Sequence, residues 1–183
     1  MSNIVSALGG ASYDGFVSVR EIGQMGMSTL RAKSDVKGLS AAVKAAVGVG
    51  LPAQRRVEMK GYKGAGWMSP DEYLLMMPYA EVAGALEVLA TKLKDAHYLA
   101  VDVSDARAVF RVEGAKAGDV IAKLCPVDLE TLAPGELRRT RAAQVAAAFW
   151  RDETGFTLVS FRSVAGYVMG LLTHSAMPGS ELG

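Results

Sequence analysis

Side chains that carry covalent or metal chemistry are sparse in this 183-residue chain, which has one cysteine, Cys125, and two histidines, His97 and His174. A zinc site built from thiolates and imidazoles needs three or four ligands, so no metal site is expected. Cys125 precedes Pro126 at the end of an apolar helical stretch with no histidine nearby in sequence, which fits a buried, inert thiol better than a nucleophile. No G-x-S-x-G elbow for a serine nucleophile occurs. His97 and His174 each fall at a predicted helix end, where an imidazole can cap carbonyls and interact with the helix dipole. The carboxylate pairs Asp102/Asp105 and Asp71/Glu72 sit at predicted turns, where Asp hydrogen-bonds nearby backbone amides. That role requires no acid–base chemistry.

The glycine-rich stretches are tests for phosphate binding. Gly48-Val49-Gly50 runs through Ala53 as G-x-G-x-x-A, but it follows a predicted helix instead of a strand, and Pro52 stands where a phosphate-binding helix would open. Gly61, Gly64 and Gly66 lead into Trp67 without the Lys-Ser or Lys-Thr of a P-loop, so a turn is the better account. Basic residues cluster as Arg55-Arg56 with Lys60 and Lys63, and as Arg138-Arg139 with Arg141. Two readings stay open for them: a solvated face, or an interface in which guanidinium groups pair with carboxylates.

Composition sets the frame for these side chains. Half of the residues are apolar and 21% charged, enough hydrophobicity to order the backbone and exclude long-range disorder. Lys and Arg (20) nearly balance Asp and Glu (19), leaving a formal charge of +1, which gives no electrostatic footprint for nucleic acid. The first 19 residues hold no Lys or Arg, so the charged head of a secretory signal is lacking. No apolar run approaches the ~18 residues of a membrane span. A cytoplasmic protein outside the membrane is expected.

Periodicity supplies the elements. Residues 1–24 show no sustained pattern and read as a loose arm. Met27 to Arg31 alternates as a strand does, and Leu39, Val43 and Val47 mark a helix over 37–47 that Gly48 stops. Val57 to Tyr62 and Tyr73 to Met77 read as strands, with Ser69-Pro70-Asp71-Glu72 as a turn between them. Val82, Leu86, Leu89 and Leu93 give a helix within 79–94. Strands over 98–103 and 109–112 flank Ser104-Asp105 and suggest a tight hairpin. A helix opening near Asp119 and ending at Pro126, a turn at Ala133-Pro134-Gly135, strands over 144–150 and 156–161, and a last helix from Ser163 complete the chain. The mixture is α+β. A domain over 25–175, with lobes of about 25–97 and 98–175 and a tail at 176–183, is expected to share one core, because lobes of that size bury little surface alone.

Three segments together resemble the gamma subunit of heterotetrameric sarcosine oxidase. They are Gly66-Trp67-Met68-Ser69-Pro70-Asp71-Glu72-Tyr73-Leu74-Leu75, then Val101-Asp102-Val103-Ser104-Asp105-Ala106-Arg107 continuing to Gly114, then Leu124-Cys125-Pro126-Val127-Asp128-Leu129 leading to Pro134-Gly135 and Thr140. The resemblance covers about residues 25–173. It extends to the N-terminal folate-binding domain of the glycine-cleavage T-protein, and so implies two similar ferredoxin-like α+β lobes. Trp67, Pro70, Asp71, Asp102, Ser104, Asp105, Arg107, Asp128, Pro134, Gly135 and Thr140 are the motif positions, and structural roles are expected of them. Ser104 and Asp105 would shape the hairpin, and Arg107 would pair with a carboxylate across it.

The resemblance implies membership of a complex that oxidatively demethylates sarcosine to glycine, reduces oxygen to hydrogen peroxide and passes the one-carbon unit to tetrahydrofolate. In that family the alpha subunit carries a folate-binding half and NAD, the beta subunit carries FAD and FMN, and the delta subunit carries zinc. The gamma subunit has no assigned cofactor, and none is expected here. One departure from the T-protein pattern lies after Thr140: Arg141-Ala142-Ala143-Gln144-Val145-Ala146 runs into a strand, where T-proteins continue through a Gly-Gly hairpin to an acidic pair that holds folate. No folate-binding role is therefore carried over. The alternatives are the equivalent subunit of another N-methyl amino acid demethylase and a free-standing folate-binding relative of the T-protein. The N-terminal arm and the region of Arg55 and Arg56 are the expected contacts to partner subunits.

Overall fold

The computed structural model describes residues 5–182. Strands β1 (Ser12–Asp14) and β2 (Ser18–Ile22) open the chain, followed by β3 (Met25–Arg31), α1 (Leu39–Val47), β4 (Val57–Lys60), β5 (Lys63–Ser69), β6 (Glu72–Pro78), α2 (Val82–Lys92) and β7 (Leu99–Asp102). Then come β8 (Arg107–Glu113), α3 (Ala117–Leu124), β9 (Leu137–Ala142), β10 (Val145–Arg151), β11 (Gly155–Phe161) and α4 (Ala165–Ser175). Single 3₁₀ turns lead into α2, β8 and α4. The chain divides into two compact units, residues 25–105 and residues 1–24 with 106–183.

The unit of residues 25–105 holds a five-stranded sheet in the order β4-β5-β6-β3-β7. Helix α1 begins after Gly38 and ends at Gly48, both in the left-handed conformation that glycine adopts without a Cβ penalty, and the Gly48 N–H donates to the Lys44 carbonyl at 2.9 Å. Its buried residues Leu39, Ala42, Val43 and Val47 follow the helical repeat. They join Val82, Ala85, Leu89 and Leu93 of the α2 region over Leu30, Ala65, Tyr73, Leu75 and Met77 of the sheet.

The other unit holds a six-stranded sheet in the order β1-β2-β8-β11-β10-β9. Residues 108–112 of β8 are all buried, as expected of a strand covered on both faces. Val120 and Ile121 from α3 and Ala165, Val168 and Leu172 from α4 pack on Val19, Phe110, Val112, Phe149, Phe156 and Leu158. Burying a large apolar side chain of this kind is worth roughly 1.5–3 kcal/mol. Each unit thus has a core cluster of its own, more than its length leads one to expect.

Three expectations are corrected. Residues 1–4 of the expected loose arm lie outside the described residues, and the rest of it is tied in: β2 pairs with β8 from Ser18↔Glu113 to Ile22↔Val109, and β1 pairs with β2. The buried positions of β2 are Val19 and Glu21, so a carboxylate stands where an apolar residue would mark the alternation, and the pattern hides in two short strands. The boundary between lobes lies at residues 105 and 106 instead of 97, because β7 pairs with β3 of its own unit. For the same reason β7 and β8 form no hairpin. Strand β8 takes β2 and β11 as its neighbours, and the 3₁₀ turn Ser104–Ala106 carries the chain from one sheet to the other. The tail is tied down as well, through the Lys123 ammonium, which donates to the carbonyls of Ser175 and Ser180.

Arg111, in the middle of β8, is buried and bonded throughout. Its guanidinium reaches Glu113 at 3.1 Å, Asp152 at 2.6 Å, the Thr157 hydroxyl at 3.1 Å, and Thr154. Asp152 also accepts from the backbone amides of Thr154 and Gly155 at 2.9 and 3.1 Å. Burial pushes the Asp152 carboxyl up, but the Arg111 and Thr154 hydrogen bonds and the guanidinium charge outweigh it and hold the group below its usual value. The native carboxyl therefore releases its proton more readily than the unfolded one. The stability it contributes is present above the ordinary Asp pKa near ~4 and is lost as pH falls through the lower native value. Asp152 is half-exposed, so Asp152→Asn is expected to cost only about 1 kcal/mol at pH 7. Urea unfolding from pH 7 to pH 2.5 checks this, with the gap between wild type and variant closing at the acid end.

Candidate functional site

The motif residues are dispersed over both units, and each does a local backbone task. At the end of β7, Ser104 is buried and its hydroxyl accepts from the Met27 amide at 2.9 Å while donating to Asp102 Oδ1 at 2.6 Å. Asp102 Oδ1 also accepts from the Ser104 amide at 2.9 Å. The Asp-x-Ser motif therefore fastens the end of β7 to the start of β3. Asp105 accepts from the Tyr79 hydroxyl at 2.9 Å, which ties the turn after β7 to the turn before α2.

Trp67 lies in β5, where it pairs with Tyr73 of β6, and Pro70 and Asp71 form the turn between the two strands. Trp67 is half-buried against the core, and its amide donates to the Arg56 carbonyl at 2.9 Å. Asp71 accepts from the Ser69 hydroxyl at 2.8 Å, and its carbonyl accepts from Ala32 at 3.1 Å. In the other unit, Arg107 opens β8, and its guanidinium carbon lies 4.3 Å above the ring of Phe161, its ladder partner on β11. Asp128 accepts from the Glu130 amide at 3.0 Å, an Asx turn. Gly135, left-handed after Pro134, donates its N–H to Arg151 at 2.7 Å, and Thr140 pairs with Ala147 on β10.

Residues 141–146, expected to run straight into a strand, instead divide between two. Arg141 and Ala142 end β9, Ala143 and Gln144 turn with Ala143 at φ 49°, and β10 starts at Val145. The hairpin is tight, and no acidic pair stands in it. Arg55 is exposed and holds a left-handed φ of 58°, while Arg56 is half-buried. A residue other than Gly at positive φ stores strain that a fold retains where the position matters.

Sequence reasoning missed Glu21. This buried carboxylate accepts from the Ser6 hydroxyl at 2.9 Å, the Leu8 amide at 3.0 Å and the Gly10 amide at 2.9 Å. Gly9 and Gly10, both left-handed, bend residues 6–10 around it. The Gly-Gly pair ahead of a lone acid was the available signal. Three open cavities lie in the unit of residues 25–105. One of about 590 Å³ is lined by Lys37, Lys92, Lys94 and His97, one of about 420 Å³ by Lys44, Lys60, Tyr62 and Lys63, and one of about 430 Å³ by Arg31, Lys33, Asp71 and His97. Lysine ammonium groups recur in all three linings. Among the described residues no three His, Cys, Asp or Glu side chains gather to hold a metal ion, and no helix is long and apolar enough to cross a membrane.

Comparison with known proteins separates a fold likeness from a family. The sarcosine oxidase gamma subunit family model matches residues 31–176. The chain belongs to that family. A Corynebacterium sp. (strain P-1) relative, sarcosine oxidase subunit gamma, is 33% identical over 153 residues, which is 81% of this chain and 74% of the relative. A chain of the heterotetrameric sarcosine oxidase from Corynebacterium sp. U-96, solved in complex with pyrrole 2-carboxylate, superposes with a TM-score of 0.80 at 28% identity, covering 90% of this chain and 87% of that one. The glycine cleavage system aminomethyltransferase T from Bartonella henselae superposes with a TM-score of 0.63 at 12% identity, over 86% of this chain and 45% of that one. At that identity the likeness is one of fold, and it agrees with the T-protein-like α+β architecture.

Cys125, inside the family segment from Leu124 to Leu129, is buried with its amide donating to Ile121 at 2.8 Å. Burial pushes its thiol up to about 12, so the thiolate is scarce at neutral pH. A thiol titration with an aromatic disulfide reagent at pH 8 is expected to find no reactive group in the native chain and one after unfolding in guanidinium chloride. Fast stoichiometric labelling of the native chain would contradict the inert reading.

Proposed function

We propose that this chain is the gamma subunit of a heterotetrameric sarcosine oxidase, a noncatalytic subunit that holds the cofactor-bearing chains in place. The observation that carries the reading is the 0.80 TM-score at 28% identity to a chain of such an oxidase, over nearly the whole of both chains. The alpha, beta and delta subunits are its partners. They carry the FAD and FMN that oxidise sarcosine, the NAD, the zinc, and the tetrahydrofolate that takes up the one-carbon unit as the methylene derivative. The complex works in sarcosine catabolism in the cytoplasm, and the isolated chain is inactive. Its own polar side chains support that role: Asp102, Ser104, Asp105 and Asp128 are each engaged with backbone or neighbouring hydroxyl groups.

Contact with the partner subunits is made through Arg55, Arg56 and their neighbours. The exposed Arg55, set by its left-handed backbone, offers a planar fork to a carboxylate of a partner. An equivalent subunit serving another N-methyl amino acid demethylase has the same residues, because substrate contacts belong to the flavin-bearing chain. A free-standing folate-binding protein is disfavoured by the tight β9–β10 hairpin, which has no acidic pair.

Affinity purification of the full chain from its source organism grown on sarcosine, followed by native mass spectrometry and oxygen-uptake assay, tests the proposal. Three further chains with bound flavin and sarcosine-dependent peroxide are expected to co-elute. The double variant Arg55→Ala, Arg56→Glu is expected to lower recovery of those chains at least about tenfold, in keeping with the loss of an arginine anchor. A lone monomer would refute the subunit reading, and unchanged recovery with the double variant would refute the arginine contact alone.

A further inference from the structure

The two units repeat one arrangement. Strands β3 and β8 begin at Met25 and Arg107, and β5 and β10 at Lys63 and Val145, in each case 82 residues apart; β6 and β11 begin at Glu72 and Gly155, and α2 and α4 at Val82 and Ala165, 83 apart. The sheet orders match too, since β7-β3-β6-β5-β4 corresponds position by position to β2-β8-β11-β10-β9. The correspondence leaves one strand over. In the six-stranded sheet β1 lies outside β2, whereas among the described residues nothing lies outside β7.

That uncovered edge is apolar. Leu99 is 56% exposed and Val101 43%. They share one face of the sheet by the two-residue period, while Ala100 packs on the core side. The register also says which backbone groups are free. Val103 donates to the Met27 carbonyl at 2.9 Å, and Thr29 and Arg31 pair with Val101 and Leu99. In an antiparallel ladder bonded pairs alternate, so Leu99 and Val101 turn their N–H and C=O toward β3, and Ala100 and Asp102 turn theirs outward. Long apolar edges with free backbone groups invite pairing with another chain, and native proteins blunt or cover them.

We infer that the β7 edge takes up an extended segment of a partner subunit as a sixth strand, filling the place that β1 fills in the other unit. This rests on the subunit reading, which places the chain among chains of other kinds. The chemistry of the edge defines the segment. Its Leu99 end adjoins the cavity of about 430 Å³ lined by Arg31, Lys33 and His97, and its other end carries Asp102 and Asp105. The fitting segment therefore alternates apolar residues to cover Leu99 and Val101, has an acidic residue toward Lys33, and has a basic one toward Asp102.

Residue-resolved hydrogen exchange compares the free full chain with the assembled oxidase, read after quench by mass spectrometry with electron-transfer fragmentation. In the free chain the amides of Leu99 and Val101 are slow and those of Ala100 and Asp102 fast; on assembly the latter two are expected to slow at least about a hundredfold. Two variants extend the test. Ala100→Pro removes only an outward N–H, the one kind of proline an edge strand accepts, and Val101→Lys puts a charge on the covered face without touching the backbone. Each is expected to lower assembly at least about tenfold while the free chain keeps its cooperative melting; should A100P not fold, V101K decides. An oxidase that assembles with Ala100 and Asp102 still exchanging fast overturns the strand pairing and leaves the subunit reading standing. Failure of the wild-type chain to assemble overturns both. Slow exchange at those amides in a free homodimer assigns the edge to a second copy and overturns the partner-subunit assignment.

Discussion

Strand β8 is the member on which the C-terminal unit depends. Its residues from Ala108 to Val112 are buried, so both of its edges and both of its faces must be occupied before the unit can exist. One neighbour, β11, comes from the nearby sequence. The other, β2, comes from the N-terminus some 90 residues away and completes the ladder in register from Ser18 to Ile22. Glu21 makes this fixed rather than optional. Its carboxylate is buried on β2 and gathers the hydroxyl of Ser6 and the amides of Leu8 and Gly10, because a buried charge without such partners would be costly.

The same economy accounts for the polar residues of the turns. In a fold made of two α+β repeats, the sharp changes of direction come at equivalent places, and each must satisfy its backbone groups. Asp102 and Ser104 serve the exit from β7, Asp71 the β5–β6 turn, Asp128 the stretch after α3, and Asp152 with Arg111 the β10–β11 turn. Each of these groups serves a turn within its own unit. What the chain offers outward is a set of lysine-lined concavities, an exposed arginine at Arg55, and the apolar edge of β7.

Much of this was legible in the residues. The amphipathic repeat of Val82 and Leu89, the glycine stop at Gly48, the Ser69 to Glu72 turn and the inert setting of Cys125 all follow from local rules, because the forces concerned act within a few positions. The parts that were not legible are those decided at long range. Nothing near Ser12 to Ile22 announces a strand whose partner lies at Val109 to Glu113, and nothing at Ser104 says that the chain leaves one sheet there for another. Arg107 was expected beside a hairpin with β7, and it stacks on Phe161 because β11 is its neighbour. Of the candidate positions, the sequence marked the turn formers, while Glu21 and Tyr79 depend on contacts that only the fold brings together.

The central claim is that this chain positions other subunits and takes no part in bond making. The most direct measurement is sarcosine-dependent oxygen uptake per assembled oxidase, with assembly counted by native mass spectrometry on the same samples. Asp102→Asn, Ser104→Ala and Arg107→Met serve as the variants. The account predicts that turnover per assembled complex stays at the wild-type value, any fall in total activity being matched by a fall in assembled complex. A variant that assembles at wild-type yield yet turns over sarcosine at least about tenfold more slowly, a loss of transition-state stabilisation, would contradict it.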